Sequence, residues 1–176
     1  MRTRYRIVEP GSCYFATSTI VEWIPLFTRK PYFDIIIESL KFCRKNKGLK
    51  IYAYVIMDNH VHLLISGEYL SNIIKDFKRH TAKELIKALK VDGKQWVLSQ
   101  FKFHKLAYKK DSNYQVWQEG FHPQIIYSDE VLNQKIEYIH NNPVRAGFVE
   151  KPEDWLYSSA RNYWELSYIM DIDPME

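Results

Sequence analysis

What the chain lacks narrows it first. No segment of its 176 residues approaches the roughly 18 consecutive apolar residues of a membrane span. The N-terminus, "MRTRYRIVEPGSCYFATSTI", has charge but no apolar stretch followed by a small-residue cleavage site. Together these absences predict a cytoplasmic protein with no membrane partner. Cysteine is scarce: only Cys13 and Cys43 are present, both in apolar surroundings and without metal-ligand or redox spacing, so they read as buried structural thiols. No repeat, low-complexity tract or linker divides the sequence, which at this length predicts one domain over 1–176 with a proper core.

Acidic residues are scarce in one part of the chain. Residues 1–110 carry 21 Lys+Arg against 9 Asp+Glu, a net of +12, whereas residues 111–176 carry 4 against 12, a net of −8. A positive surface of that size attracts polyphosphate backbones, which makes nucleic acid a reasonable partner.

The element pattern is mixed. "CYFATSTIVEWI", 13–24, is rich in aromatic and β-branched residues and reads as a strand. A helix follows, with Pro31 near its start and Gly48 at its stop. "LKIYAYVIM", 49–57, and "HVHLLIS" form an antiparallel hairpin around a short "DNH" turn. The clearest helix is 69–90, where Leu70, Ile73, Ile74, Phe77, Leu85 and Leu89 recur at helical spacing. Segment 91–123 has no sustained period and reads as a loop with a short strand or helix. A short strand at 124–127 and a helix from about 129, capped by Ser128 and ending near Asn142 before Pro143, complete the pattern. "EKPEDWLYSSARNYWEL" reads as a turn and a short packing segment. This order predicts an α+β fold, a ferredoxin-like antiparallel sheet with helices packed on one face and the other face left for a ligand.

Two constellations carry chemistry. In "MDNHVHLLI", 57–65, strand alternation puts His60 and His62 on one face and Val61, Leu63 and Ile65 on the core face. Two imidazoles a pleat apart can converge on one metal ion or one anion, although an exposed strand face carrying two histidines would look the same. In "IEYIHNNPVRAG", 136–147, Tyr138 and Asn142 lie one helical turn apart on one face, with Ile136 and Ile139 turned toward the core. If that face meets the histidine strand, two nitrogens and an amide oxygen could hold Mg²⁺ or Mn²⁺, the latter suiting imidazole better. The tyrosine would then attack a phosphate in line. Its free pKa of about 10 means that it needs local help to lose its proton.

A row of Lys75, Arg79 and Lys83 at i+4 spacing, with Lys78 nearby, is a candidate for phosphate contacts, and Arg4, between Arg2 and Arg6, for an N-terminal arm. The same lysines also suit a merely solvated helix face. Trp96, Tyr114, Trp117 and Phe121 could stack on unpaired bases or pack in the core.

With these residues in view, the chain resembles the HUH single-tyrosine transposases, and more closely their REP-associated tyrosine transposase branch. "VIMDNHVHLLI" is similar to the histidine–hydrophobe–histidine strand and "FKRHTAKEL" to the basic helix after it. "VWQEGFHPQII" and "YIHNNPVRAGFVEKPEDWLYSSARNY" resemble the C-terminal half. The resemblance spans roughly residues 10–165. It implies a metal-dependent enzyme that cleaves and rejoins single-stranded DNA, near hairpins, through a covalent 5′-phosphotyrosine. His60, His62 and Asn142 would be the metal ligands and Tyr138 the nucleophile. The partner would be single-stranded or hairpin DNA in the prokaryotic nucleoid, and homodimer and monomer both occur among relatives. Two positions depart from the pattern: Asp58 stands where proline often precedes the "NH", and His122-Pro123 follows the "W-Q" block.

Three other classes share parts of this pattern. A domesticated hairpin-binding module without mobilising activity would share this sequence unless a catalytic residue were lost. A two-histidine phosphoesterase would repeat its motif, and the chain has one "HVH". Two histidines and two scattered cysteines give no four-ligand zinc set of normal spacing.

Overall fold

The structure of the chain, a computed structural model, describes residues 9–175. Arg4, the proposed N-terminal arm residue, lies outside them. Strands β1 (Tyr14–Thr19), β2 (Lys50–Ile56), β3 (His60–Ser66) and β4 (Gln124–Ile125) form an antiparallel sheet in the order β2-β3-β1-β4. Helices α1 (Lys30–Lys47) and α2 (Leu70–Val91) connect β1 to β2 and β3 to β4, the latter through the nine-residue α3 (Gln95–Phe103). This is the ferredoxin-like α+β arrangement that the element order predicts. Alternation decides the layers. Tyr14, Ala16, Tyr54, Ile56, Val61, Leu63 and Ile65 point to the face covered by α1 and α2, where they join Ile36, Leu40, Ile74 and Phe77 in the main core.

The opposite face is not left bare. Phe15, Ala53, Val55 and Leu64 make it apolar, and α4 (Asp129–Arg145) lies across it through Leu132, Ile136 and Ile139. Ser128 caps α4 as expected, its hydroxyl accepting from the Val131 N–H, with Asp129 and Glu130 in the first turn. The helix does not stop at Asn142. It continues through Pro143 to Arg145, with the Ala146 N–H donating to the Asn142 carbonyl at 3.0 Å. Proline so near the C-terminus removes only one helical donor, and its ring is buried, so the last turn survives.

Two further differences from the sequence expectations have local causes. β1 ends at Thr19, not near Ile24, because Glu22 and Trp23 adopt left-handed backbone angles, φ 55° and 50°. The C-terminal segment does more than pack. Ile56 N–H donates to the Tyr157 carbonyl, Ser159 N–H to the Tyr54 carbonyl and Asp173 N–H to the Ile51 carbonyl, so the outer edge of β2 is covered. Arg44 fastens this cover with a bidentate pair to Asp173 at 2.9 Å.

Candidate active site

The antiparallel register places Thr17 opposite His62 and Thr19 opposite His60. Both histidines face α4, and their ring centroids are 4.6 Å apart. The Thr17 hydroxyl meets His62 Nδ1 at 2.7 Å. His60 Nδ1 donates to Asn59 Oδ1 at 2.6 Å, an orientation set by the Asn59 amide, which donates to the Trp23 carbonyl at 3.2 Å. With Nδ1 holding the proton on His60, Nε2 keeps a lone pair. Burial lowers the His60 pKa, partly opposed by an Asn142 hydrogen bond and the nearby Asp58 carboxylate. Burial, with the His60 and Lys135 charges, pushes His62 down to about 3. Both rings are therefore neutral near pH 7, the form that ligates a metal.

α4 delivers the other half of the site. Its apolar stripe, Ile136 and Ile139, is turned onto the sheet, which brings the neighbouring Tyr138 and Asn142 over the histidine end. The Tyr138 ring lies 5.3 Å from the His62 ring and 5.8 Å, edge-on, from Phe15, which itself stacks on His62 at 5.3 Å. Tyr138 is 37% exposed, so its ring is wedged while a solvent-borne substrate can approach. Lys135 Nζ stands 4.4 Å over the Phe15 ring, and the Arg145 guanidinium 5.4 Å over Tyr138. His60, His62, Tyr138 and Asn142, expected to share a site, are thus together within one chain.

Other expected residues are elsewhere. Lys75, Lys78, Arg79 and Lys83 lie on α2, across the sheet from the histidines. Lys75, Arg79 and Lys83 are exposed. Lys78 is not presented to solvent as a phosphate contact. Its ammonium turns inward and donates to the Gln118 and Gly120 carbonyls at 3.2 and 2.9 Å. Trp117 is core, its indole donating to Thr81, whereas Trp96 is exposed and Tyr114 and Phe121 are half-buried. His122 folds back over Gly120, where a Cβ would come within 3.0 Å of its ring. Sequence reasoning missed Phe15, Thr17, Asn59, Lys135 and Arg145. Only the last two carried a signal, since they sit three residues before and seven after Tyr138 on one helix face.

Among the described residues no three His, Cys, Asp or Glu side chains converge as a metal cluster. A mixed set still fits a divalent ion. Two neutral imidazoles have their Nδ1 atoms engaged, and the Asn142 carboxamide is within reach of His60.

The model of IS200-like transposases matches residues 25–142, two thirds of the chain and the span that holds both histidines, Tyr138 and Asn142. The chain belongs to this transposase family. A Haemophilus influenzae protein, described as a candidate REP-associated tyrosine transposase, is 29% identical over 153 residues, covering 85% of this chain and 80% of its own. The solved structure of a REP-associated tyrosine transposase bound to a REP hairpin has the same fold, with a TM-score of 0.66 at 18% identity over 99% of this chain and 95% of that one. No helix among the described residues is long and apolar enough to cross a membrane.

Proposed function

We propose that this transposase-family chain cleaves and rejoins single-stranded DNA next to hairpins, using Tyr138 as the nucleophile and a divalent metal as cofactor. The observation that carries the reading is the packing of Tyr138 against the His60–His62 pair within one chain, at 5.3 Å between the Tyr138 and His62 rings. The hairpin is the ligand named for the structural neighbour, and the basic face of α2 and Arg4 supply cations for such a partner here.

His60 Nε2, His62 Nε2 and the Asn142 amide oxygen would hold Mg²⁺ or Mn²⁺. When bound, the ion polarises a phosphate oxygen and neutralises charge that builds on phosphorus. Thr17 and Asn59 fix the rings so that the Nε2 lone pairs are available. Phe15 holds the Tyr138 ring edge-on, which restricts the direction of attack. The phenolic oxygen bonds to phosphorus as the bond to the 3′ oxygen breaks. The phenolic proton leaves to water, and the departing oxygen takes one up as a 3′-hydroxyl. Because the phosphodiester is exchanged for a phosphotyrosine ester, a 3′-hydroxyl can reverse the step without ATP. Lys135 and Arg145 place two positive charges beside the ring, where the phosphate oxygens would collect negative charge.

The test is covalent capture on a hairpin oligonucleotide with a single-stranded flank, with Mn²⁺ or EDTA. The parent should form a protein–DNA adduct only with metal, and Tyr138→Phe should lose both adduct and cleavage while keeping its fold and affinity. An adduct persisting in Tyr138→Phe and mapping to Tyr127 would overturn the assignment. A parent that binds hairpins yet never forms an adduct would be a binding module.

A further inference from the structure

A groove of about 960 Å³ lies away from the histidines, between α2 and the return segment 109–123. We propose that it is a second binding site of this protein, taking an unpaired stretch of DNA that continues from the active site. This rests on the single-strand reading above and adds the strand's path. The groove joins apolar, aromatic and cationic side chains, and its carboxylates are Asp111 and Glu119, the latter paired with Lys109 at 3.8 Å. Ile74, Ile86, Tyr114 and Phe121 give it an apolar and aromatic lining, and Lys75 and Lys83 stand on its α2 side. Neither lysine makes an ion pair among the described residues, and successive members of the Lys75, Arg79, Lys83 row are about 6 Å apart along the axis. That is close to the step between phosphates of an extended strand. Aromatic side chains beside cations in one groove suit a chain of bases and phosphates, whatever its sequence.

The groove is also connected to the active site. Gln118 N–H donates to the Thr19 carbonyl at 2.8 Å, and Thr19 pairs with His60. Six residues on, Gln124 pairs with Phe15, the residue stacked on His62. Between these two points the segment bulges off the sheet edge and forms the lip of the groove. Lys78 holds that lip, its ammonium donating to the Gln118 and Gly120 carbonyls. The lip of the groove and the histidine end of the sheet are thus both tied to β1, so a strand that leaves Tyr138 and rounds the β1 edge would come to the groove on the α2 side.

The experiment compares affinity for one hairpin with and without an unpaired flank, by anisotropy at several salt concentrations. The parent should bind the flanked form more tightly. Phe121→Leu, which keeps apolar volume and loses the ring, should cut that gain by roughly five-fold or more. Lys75→Gln with Lys83→Gln should flatten the log–log salt slope for the flanked form by up to about 1.4 units. A 4-thiothymidine in the flank should crosslink to residues 74–86 or 114–121. An undiminished flank gain in both variants, or crosslinks confined to other surfaces, overturns the proposal. Loss of self-association with the flank gain intact would give the groove to a second copy instead, and also overturns it. Failure of the active-site reading shows separately, as absence of the Tyr138 adduct in a parent whose flank gain is normal.

Discussion

Thr17→Val tests whether the histidine pair is a built metal site. The Thr17 hydroxyl is the partner of His62 Nδ1, at 2.7 Å, and His62 is only 5% exposed. Valine keeps the β-branched shape and suits the strand, so the variant removes one hydrogen bond and little else. An unpartnered buried ring nitrogen costs about 1–3 kcal/mol, which lowers Tm by roughly 2–12 °C for a chain of this size. The more informative effect is on the ion. Losing the group that orients a ligating histidine typically weakens metal affinity 10–100-fold. The Mn²⁺ concentration for half-maximal cleavage should rise by that factor, and saturating Mn²⁺ should restore the rate. Thr17→Ser should recover most of the loss, whereas His62→Ala should not be rescued by any ion concentration. The assay is cleavage of a flanked hairpin across a Mn²⁺ titration, with calorimetric binding alongside. Equal Mn²⁺ dependence in Thr17→Val and the parent would refute the orienting role. Absence of Mn²⁺ binding in the parent would refute the metal site itself.

Two stability predictions follow from the C-terminal cover and the core. Asp173→Ala removes the bidentate partner of Arg44 and the acceptor of the Ile51 N–H, at 2.9 and 2.7 Å, and should cost about 2 kcal/mol, or roughly 4–8 °C in Tm by thermal melting. Burial works to raise the Asp173 carboxyl, but Arg44 and the Ile51 N–H outweigh it and hold it below its ordinary value. Its contribution is therefore complete above about pH 4 and is lost as pH falls through the depressed folded value, so parent and variant should converge in acid. A gap that widens on acidification would contradict this. Tyr54 is fully buried, and its hydroxyl has no hydrogen-bond partner among the described residues. Tyr54→Phe should consequently leave Tm unchanged or raise it by a few degrees, and a loss above about 1 kcal/mol would mean that the hydroxyl is satisfied.

How far the sequence discloses the site depends on the range of the contact. The shared face of His60 and His62, and that of Tyr138 and Asn142, follow from backbone periods of 2 and 3.6, which need no tertiary knowledge. Thr17 is 45 residues from His62 in sequence, and they meet only because β1 pairs with β3 in one register. No local pattern encodes that register. Asn59 is similar: its role needs the Trp23 carbonyl, presented by a left-handed turn. Lys78 shows the opposite failure. Its charge and spacing group it with a basic row, but it lies one turn after Ile74, at the margin of the apolar stripe, where the return segment brings two carbonyls to it. Charge and spacing identify a cation and its side of the helix, but not the acceptors that another segment supplies.

The rotation of α4 is what turns these separate parts into one site. Residues two apart on a helix point about 200° from each other, so Tyr138 and His140 leave opposite sides of α4. His140 is buried, and its Nε2 meets the Ser159 hydroxyl at 2.9 Å. That hydroxyl also accepts from the Tyr54 N–H of β2, also at 2.9 Å. Ile139, between them, is fully buried on the sheet. The helix is thus pinned on its apolar face and on one flank, and the free flank is the one carrying Tyr138. Rolling α4 to withdraw the tyrosine would strip His140 from Ser159 and lift Ile139 from Phe15, Val55 and Leu64. Continuation of the helix through Pro143 completes the arrangement, because it carries Arg145 two turns beyond Tyr138 and back over the same ring. A helix ending at Asn142 would still place the tyrosine and the amide, but it would leave the Arg145 cation on a loop with no fixed relation to either.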